Sequence, residues 1–300
     1  MSTVRDLARI HRLEYPLPIH YVCYSIWGAC YAVDHPAGLL TVPVLLAFVA
    51  NLPLPVAMNV LNAVVDVPTD ARNPQKSGSA AAITRLGART ALWWAAVEMA
   101  FSLVVATVVA VWLRHWLVIA ATGGAVALHL LYNVEPVRLK RRGLLNPLTL
   151  GASFGFLPCL VSYGAVRAGV AWWAWLVFAG LGISVAGRAL WWMVPDRSGD
   201  AASGMPTFAV RHGARRAFVV SLLIALPGPV VLAAGLWPSH GPVWAVVGGL
   251  AAGVFVVGQF VGLRGTSDRA LPSVTRMRRR NMTPMMIANV FLAVLPLAAG

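Results

Sequence analysis

Charge is scarce in this 300-residue chain. Asp, Glu, Lys and Arg make up 11% of it, against about a quarter of an average soluble domain. Acidic residues number only 10 and cysteines only 3. The shortage of charge excludes a disordered chain and an ordinary water-soluble enzyme. Cys23, Cys30 and Cys159 all fall in apolar stretches, with no C-x-x-C spacing. A disulfide scaffold and a thiolate zinc site are therefore excluded, and the three read as small buried apolar residues. No short apolar core precedes residue 17, so no cleavable signal peptide is expected.

What the chain has is apolar length. Hydrophobic residues make up 59% of it, and the mean hydropathy is +0.73. A membrane-crossing helix needs roughly 20 apolar residues. Nine such stretches can be marked: 17–33, 38–62, 90–112, 116–132, 146–164, 169–193, 217–236, 242–263 and 282–299. Breakers separate them, as at His35-Pro36, Asn73-Pro74 and Trp237-Pro238-Ser239. The fold class expected is all-α, a polytopic membrane protein. Ahead of the first stretch, Val4, Leu7 and Ile10 alternate with Arg5, Arg9 and Arg12. Residues 1–16 then form a cytoplasmic segment, read as a short amphipathic helix on the membrane surface.

The net charge of +14 would suit a nucleic-acid binder, but the charges follow topology. Of the 24 Lys and Arg, 21 lie on one side of the marked stretches, Arg114 and Arg167 lie on the other, and Arg188 sits inside the sixth. That bias is the positive-inside signature. It puts the N-terminus in the cytoplasm and the C-terminus outside, and leaves no role for nucleic acid.

Carboxylates are so few that their positions carry information. Asp66/Asp70 and Asp196/Asp200 share one spacing and follow the cytoplasmic ends of the second and sixth stretches; Asn62 extends the first set. Residues i and i+4 share a helix face, although Pro68 bends the first pair by disfavouring helix at Val67. Like charges at this spacing repel and meet the negative end of the helix dipole. A divalent cation reverses both effects, and Mg²⁺ takes one or two carboxylates plus phosphate oxygens. A weak repeat reinforces the symmetry. Arg85-Leu86-Gly87-Ala88-Arg89 recurs as Arg211-His212-Gly213-Ala214-Arg215, with the same offset as Asp70 and Asp196. A third basic stretch, Tyr132 to Gly143, contains Arg138 and Lys140. Paired carboxylate–Mg²⁺ clusters ringed by Lys and Arg suit a diphosphate.

Together these motifs resemble the UbiA superfamily of intramembrane prenyltransferases. Asn62-x-x-x-Asp66-x-x-x-Asp70 and Asp196-x-x-x-Asp200 resemble its two aspartate-rich motifs. Tyr132 to Gly143 resembles its basic loop, and Asp196 to Gly213 its second motif with the stretch that follows. Two positions depart: Ala63 stands where many members have Asp, and Pro206 where many have a basic residue. The resemblance covers the whole chain and implies one domain over 1–300, a nine-transmembrane-helix bundle with a central cavity. It implies a Mg²⁺-dependent enzyme of the cytoplasmic membrane that ionises a polyprenyl diphosphate and passes the prenyl group to a lipophilic aromatic or isoprenoid acceptor. Its partners are then the donor, that acceptor and membrane lipid. By resemblance Asn62, Asp66, Asp70, Asp196 and Asp200 hold the metal, and the four aspartates with Lys140 and Tyr132 are catalytic. Arg138, Arg188, Arg211 and Lys76 join Asn62 in binding substrate.

Other classes stay open at this stage. A terpene cyclase on the same scaffold would ionise the same donor. A transporter would place its polar groups mid-membrane, whereas these gather on one face. Glu98 and His129 lie inside stretches three and four. They read as a hydrogen-bonded pair between helices, or as a proton acceptor or acceptor contact. Most of the 12 Trp sit near stretch ends, as an interfacial belt does.

Overall fold

The structure, a computed structural model, describes residues 2–73, 76–264, 267, 271, 273–277 and 281–299. Within the basic loop 264–281, Asp268, Arg269, Arg278, Arg279 and Arg280 lie outside the described residues. Among the described residues the fold is helical, with no strand. Helix α1 is Ser2–Ile10, α2 Leu17–Cys30, α3 Val42–Val65, α4 Val67–Asp70, α5 Ser77–Leu86 and α6 Ala88–Leu113. Helix α7 is Leu117–Asn133, α8 Leu145–Gly164, α9 Trp172–Met193, α10 Arg197–Ala202 and α11 Phe208–His212. Helix α12 is Ala214–His240, α13 Pro242–Arg264 and α14 Thr283–Ala299.

Among the described residues six helical runs are long and apolar enough to cross a membrane: α3, α6, α8, Trp172–Ala202, α12 and α13. Helices α7 and α14 are shorter apolar helices of 17 residues each, at the lower limit of roughly 17 for a crossing. Helix α2 has 14. The breakers act mostly where the sequence places them. A 3₁₀ turn, Pro36–Leu40, follows His35. The exception is Pro238, which α12 absorbs in its last turn. That helix stops instead at Gly241, whose φ of 86° no side-chain-bearing residue adopts easily.

Helix α9 is the central element. It packs along α12 on one side and α8 on the other, and glycines let the backbones close in. A Cβ on Gly180 would lie 2.6 Å from Leu232 N, and one on Gly151 2.5 Å from Gly182 O. Small residues at such crossings are how helices associate where lipid offers no hydrophobic drive. Helices α6 and α13 are peripheral and present Val104, Val108, Val257 and Phe260 outward. The exposed Trp112, Trp116, Trp172 and Trp237 fall at helix ends on one side.

The N-terminal helix is amphipathic, as its pattern requires, but the Leu7–Ile10 end of its apolar face is covered by protein while Val4 stays exposed. Ile10 is fully buried among Ala57, Val60, Ile83 and Ala95, with Leu7 packed against the same cluster. Asp6 accepts two bonds from Arg85, at 2.6 and 2.8 Å. His11 bonds Glu98 at 2.9 Å. This corrects the pairing expected for Glu98: its partner is His11. His129 packs against Phe154 with neither ring nitrogen hydrogen-bonded.

Candidate active site

Each aspartate motif sits where a long helix breaks. Helix α3 ends at Val65, Asp66 caps it, and the single turn α4 restarts at Val67-Pro68. Pro68 has no N–H to donate and disfavours helix at Val67, which accounts for the break. The turn still keeps Asp70 N bonded to Asp66 O at 2.7 Å. In the second motif a 3₁₀ turn, Val194–Asp196, joins α9 to α10. The run Trp172–Ala202 has 31 residues, half again the roughly 20 that cross a bilayer, so Asp196 and Asp200 lie past the membrane end of α9. Beyond each motif a short helix ends at a glycine with positive φ, 85° at Gly87 and 88° at Gly213, and the next long helix begins. The sequence repeat thus has a structural counterpart.

The two motifs come together at one mouth. Lys76 bonds Asp196 at 2.7 Å and lies 3.9 Å from Asp70, touching both halves. Asn73 donates to Asp196 at 3.4 Å. Gly199 lets these loops meet, since a Cβ there would lie 2.9 Å from the Asn73 side chain. Lys140 reaches in from the third basic stretch. Its Nζ is 2.5 Å from Asp66 and 3.4 Å from Asn62, and Arg138 stands 3.6 Å from Asp66. That loop is held from behind: the Tyr132 hydroxyl donates to Asn146 at 3.1 Å, and Asn146 donates to Lys140 O at 2.9 Å.

Burial sets the electrostatics of the mouth. It pushes the Asp70 carboxyl up to about 6; Lys76 pulls the other way, and Asp66 and Asp196 add to the rise. It pushes Asp200 up to about 7, with Asp196 adding. Lys140 is drawn below its ordinary value by burial in spite of Asp66. Lys76 is held above its own, because Asp196 and Asp70 outweigh burial. Crowded carboxylates that retain protons near neutrality are short of positive charge.

The mouth opens into a cavity of roughly 1170 Å³, counted to its open end. Asn62, Asp66, Lys76, Tyr132, Lys140, Asp196 and Asp200 line its polar end; Met58, Leu150, Phe154 and Val185 line its apolar wall. Arg188 also lines it. Asp70 faces an adjoining pocket that shares Arg12, Lys76 and Asp196 with the first. Arg211 is exposed and lies outside both linings. The shape is that of α11, which turns its last residues outward before Gly213. Asn73, Asn146 and Arg12 join the site without having been assigned to it from the sequence. Only Asn73 carried a signal there, three residues past Asp70 in an otherwise acid-poor chain.

Oxygen donors dominate the mouth, and they fit Mg²⁺. Among the described residues no three His, Cys, Asp or Glu gather into a closed metal shell. The carboxylates stand in ones and twos, as suits an ion that completes its shell with phosphate oxygens and water.

Fold and site together define a membrane-embedded enzyme of the intramembrane prenyltransferase class. The comparisons give the family. The sequence model of the UbiA prenyltransferase family matches residues 21–290, and the chain belongs to that family. A search of curated proteins gives no match. Among solved structures the chain is similar to a UbiA homolog from Archaeoglobus fulgidus bound to DMAPP and Mg²⁺. The identity is 14%, the TM-score is 0.76, and 98% of each chain is covered. It is similar also to a UbiA homolog from Aeropyrum pernix K1, at 18% identity and TM-score 0.73, over 95% of this chain and 98% of that one. A structure titled for digeranylgeranylglyceryl phosphate synthase matches at 13% identity and TM-score 0.63, over 99% and 100%.

Proposed function

We propose that this protein is a Mg²⁺-dependent prenyltransferase of the cytoplasmic membrane. It transfers a prenyl group from a polyprenyl diphosphate to a lipophilic acceptor. The observation that carries this reading is the convergence of both motifs on Lys76, which sets four carboxylates and three cations around one cavity mouth and the pocket adjoining it. Two of the structural relatives are titled as bound to a prenyl diphosphate with Mg²⁺, which supports the same chemistry here. We read nine crossings, α2, α3, α6, α7, α8, α9, α12, α13 and α14, with the N-terminus inside and the C-terminus outside. The charge asymmetry of the loops supports that orientation.

In this reading Asn62, Asp66, Asp70, Asp196 and Asp200 hold Mg²⁺, which supplies charge neutralisation to the leaving diphosphate. Lys76, Lys140 and Arg138 take diphosphate oxygens directly, exchanging their carboxylate contacts for phosphate ones. Tyr132 and Asn146 fix the Lys140 loop so that the ammonium is in place before ionisation begins. Leu150, Phe154 and Val185 wall the prenyl chain off from water, which would quench an allylic cation. The test is diphosphate release from labelled geranyl diphosphate by purified protein, with and without EDTA. Release that stops with EDTA and returns with Mg²⁺ is expected. Metal-independent release, or none with any prenyl diphosphate, would overturn the reading.

A further inference from the structure

Lys76, which joins the two motifs, stands on a helix that cannot hold itself. Helix α5 has 10 residues, fewer than the roughly 12–15 at which an isolated helix becomes even marginal. It opens Ser-Gly-Ser, a run of weak helix formers, and no side chain caps its N-terminus. Lys76 belongs to its first turn: Lys76 O accepts from Ser79 N at 2.8 Å and from Ala80 N at 3.4 Å. Where α5 goes, Lys76 goes. A group misplaced by about 1 Å in a reacting site can cost about 100-fold, so whatever fixes α5 governs Lys76.

Helix α1 fixes it at both ends and between them. At the C-terminal end Arg85 gives Asp6 two bonds, 2.6 and 2.8 Å long, and Asp6 is only 4% exposed. A two-pronged guanidinium–carboxylate pair sets orientation as well as distance. At the N-terminal end the Arg9 guanidinium donates to Gly78 O at 3.4 Å. It lies so close that a Cβ on Gly78 would sit 3.1 Å from Arg9 Nη1. Between these two points Ile10 shares a buried cluster with Ala82 and Ile83 of α5. Just past α1, His11 bonds Glu98 of α6 at 2.9 Å and Leu7 O at 2.7 Å, which ties the helix to the bundle.

A helix resting on lipid would give its apolar face to the membrane and its carboxylate to water. Here Leu7 and Ile10 go to protein, Asp6 goes to α5, and only Val4 is left outside. Asp6, Arg9 and Ile10 all precede residue 21, where the family match begins. Resting on the donor reading above, we propose that α1 is a strap that holds Lys76 in place for the diphosphate, with Asp6, Arg9 and Ile10 as positioning residues acting through α5.

The experiment measures the Kd for geranyl diphosphate with Mg²⁺, by quenching of tryptophan fluorescence, on the full chain in nanodiscs. Asp6→Ala, Ile10→Ala and Val4→Ser are each made with Lys76 present and in a Lys76→Ala background. With Lys76 present, Asp6→Ala and Ile10→Ala should each raise Kd about three- to thirtyfold, within the coupling range of groups in one packed network. Asp6→Glu, which keeps a carboxylate for Arg85, should retain most of the affinity. In the Lys76→Ala background the same changes should raise Kd by less than about twofold, because a group that acts only through Lys76 has nothing left to position. Val4→Ser should stay within about twofold of its parent in both backgrounds, as suits an exposed site without a structural partner. Arg85 is half-exposed, so removing Asp6 leaves it hydrated; if Ile10→Ala fails to insert, Asp6→Ala decides. Losses that persist in full without Lys76, an equal loss in Val4→Ser, or no loss in Asp6→Ala would overturn the strap and leave the donor reading standing. If wild type fails to bind the donor with Mg²⁺, the donor reading falls and the strap with it.

Discussion

Lys76 and Arg211 show how far one residue's placement decides its role. Both are basic residues on the loops after an aspartate motif, and the sequence puts both in a substrate-binding set. Lys76 touches Asp196 and stands near Asp70, whereas Arg211 is exposed and lines neither pocket. Lys76→Ala should raise the donor KM about tenfold or more, and Arg211→Ala should shift it by less than about twofold, in steady-state kinetics with the donor varied. Equal effects would return Lys76 to a mere topology signal. The raised carboxyls of Asp70, about 6, and Asp200, about 7, set a pH dependence. Below these values the metal-free mouth holds protons that Mg²⁺ must displace. Metal affinity should therefore climb as pH rises through that range and level off above it. Calorimetric titration with Mg²⁺ in two buffers of different ionisation heat should show proton release near pH 6 and almost none near pH 9. Proton release that does not change between those conditions would contradict the burial described here.

At the scale of the element, the carboxylate pairs were legible because acid is so rare in this chain. Their joining was not, because nothing in the sequence says that Lys76 reaches across to Asp196 or that Gly199 admits Asn73. Helix existence followed from apolar runs, while helix ends followed local chemistry that is harder to read. Pro238 looks like a breaker but sits in the last turn of α12, and Gly241 does the stopping. The amphipathic pattern of α1 could not say whether lipid or protein would cover Ile10. The answer depends on α3, α5 and α6 presenting an apolar hollow at that point. Helix α9 gives the element-scale prediction. At Gly180 an added Cβ meets backbone of α12, Leu232 N at 2.6 Å and Gly228 O at 2.7 Å. Backbone cannot swing aside as a side-chain tip can. Gly180→Val should cost about 1–3 kcal/mol or more, read as a lower Tm in detergent, while Gly253→Val, with open space around it, should leave Tm near wild type. An unchanged Tm at position 180 would mean the α9–α12 contact is looser than described.

The whole molecule gathers its polar chemistry at one end of an apolar bundle, and that end is the one rich in Lys and Arg. The topology follows and is testable. In a background lacking Cys23, Cys30 and Cys159, all buried, cysteines at the exposed positions Ser77, Ser198 and Ala168 would be probed in intact cells with an impermeant thiol reagent. Only position 168 should label; labelling at 77 or 198 would invert the bundle. The central claim is that two motifs 130 residues apart form one Mg²⁺-diphosphate site. It is tested most directly by titrating geranyl diphosphate, with Mg²⁺ present, into folded, nanodisc-inserted Asp66→Ala, Asp196→Ala and the double variant. Each single change should weaken binding beyond the roughly 10–100-fold typical of a supporting residue, and the double should be little worse than either, because groups that act as a unit are not additive. Near wild-type binding in either single variant, or losses that simply add, would contradict it.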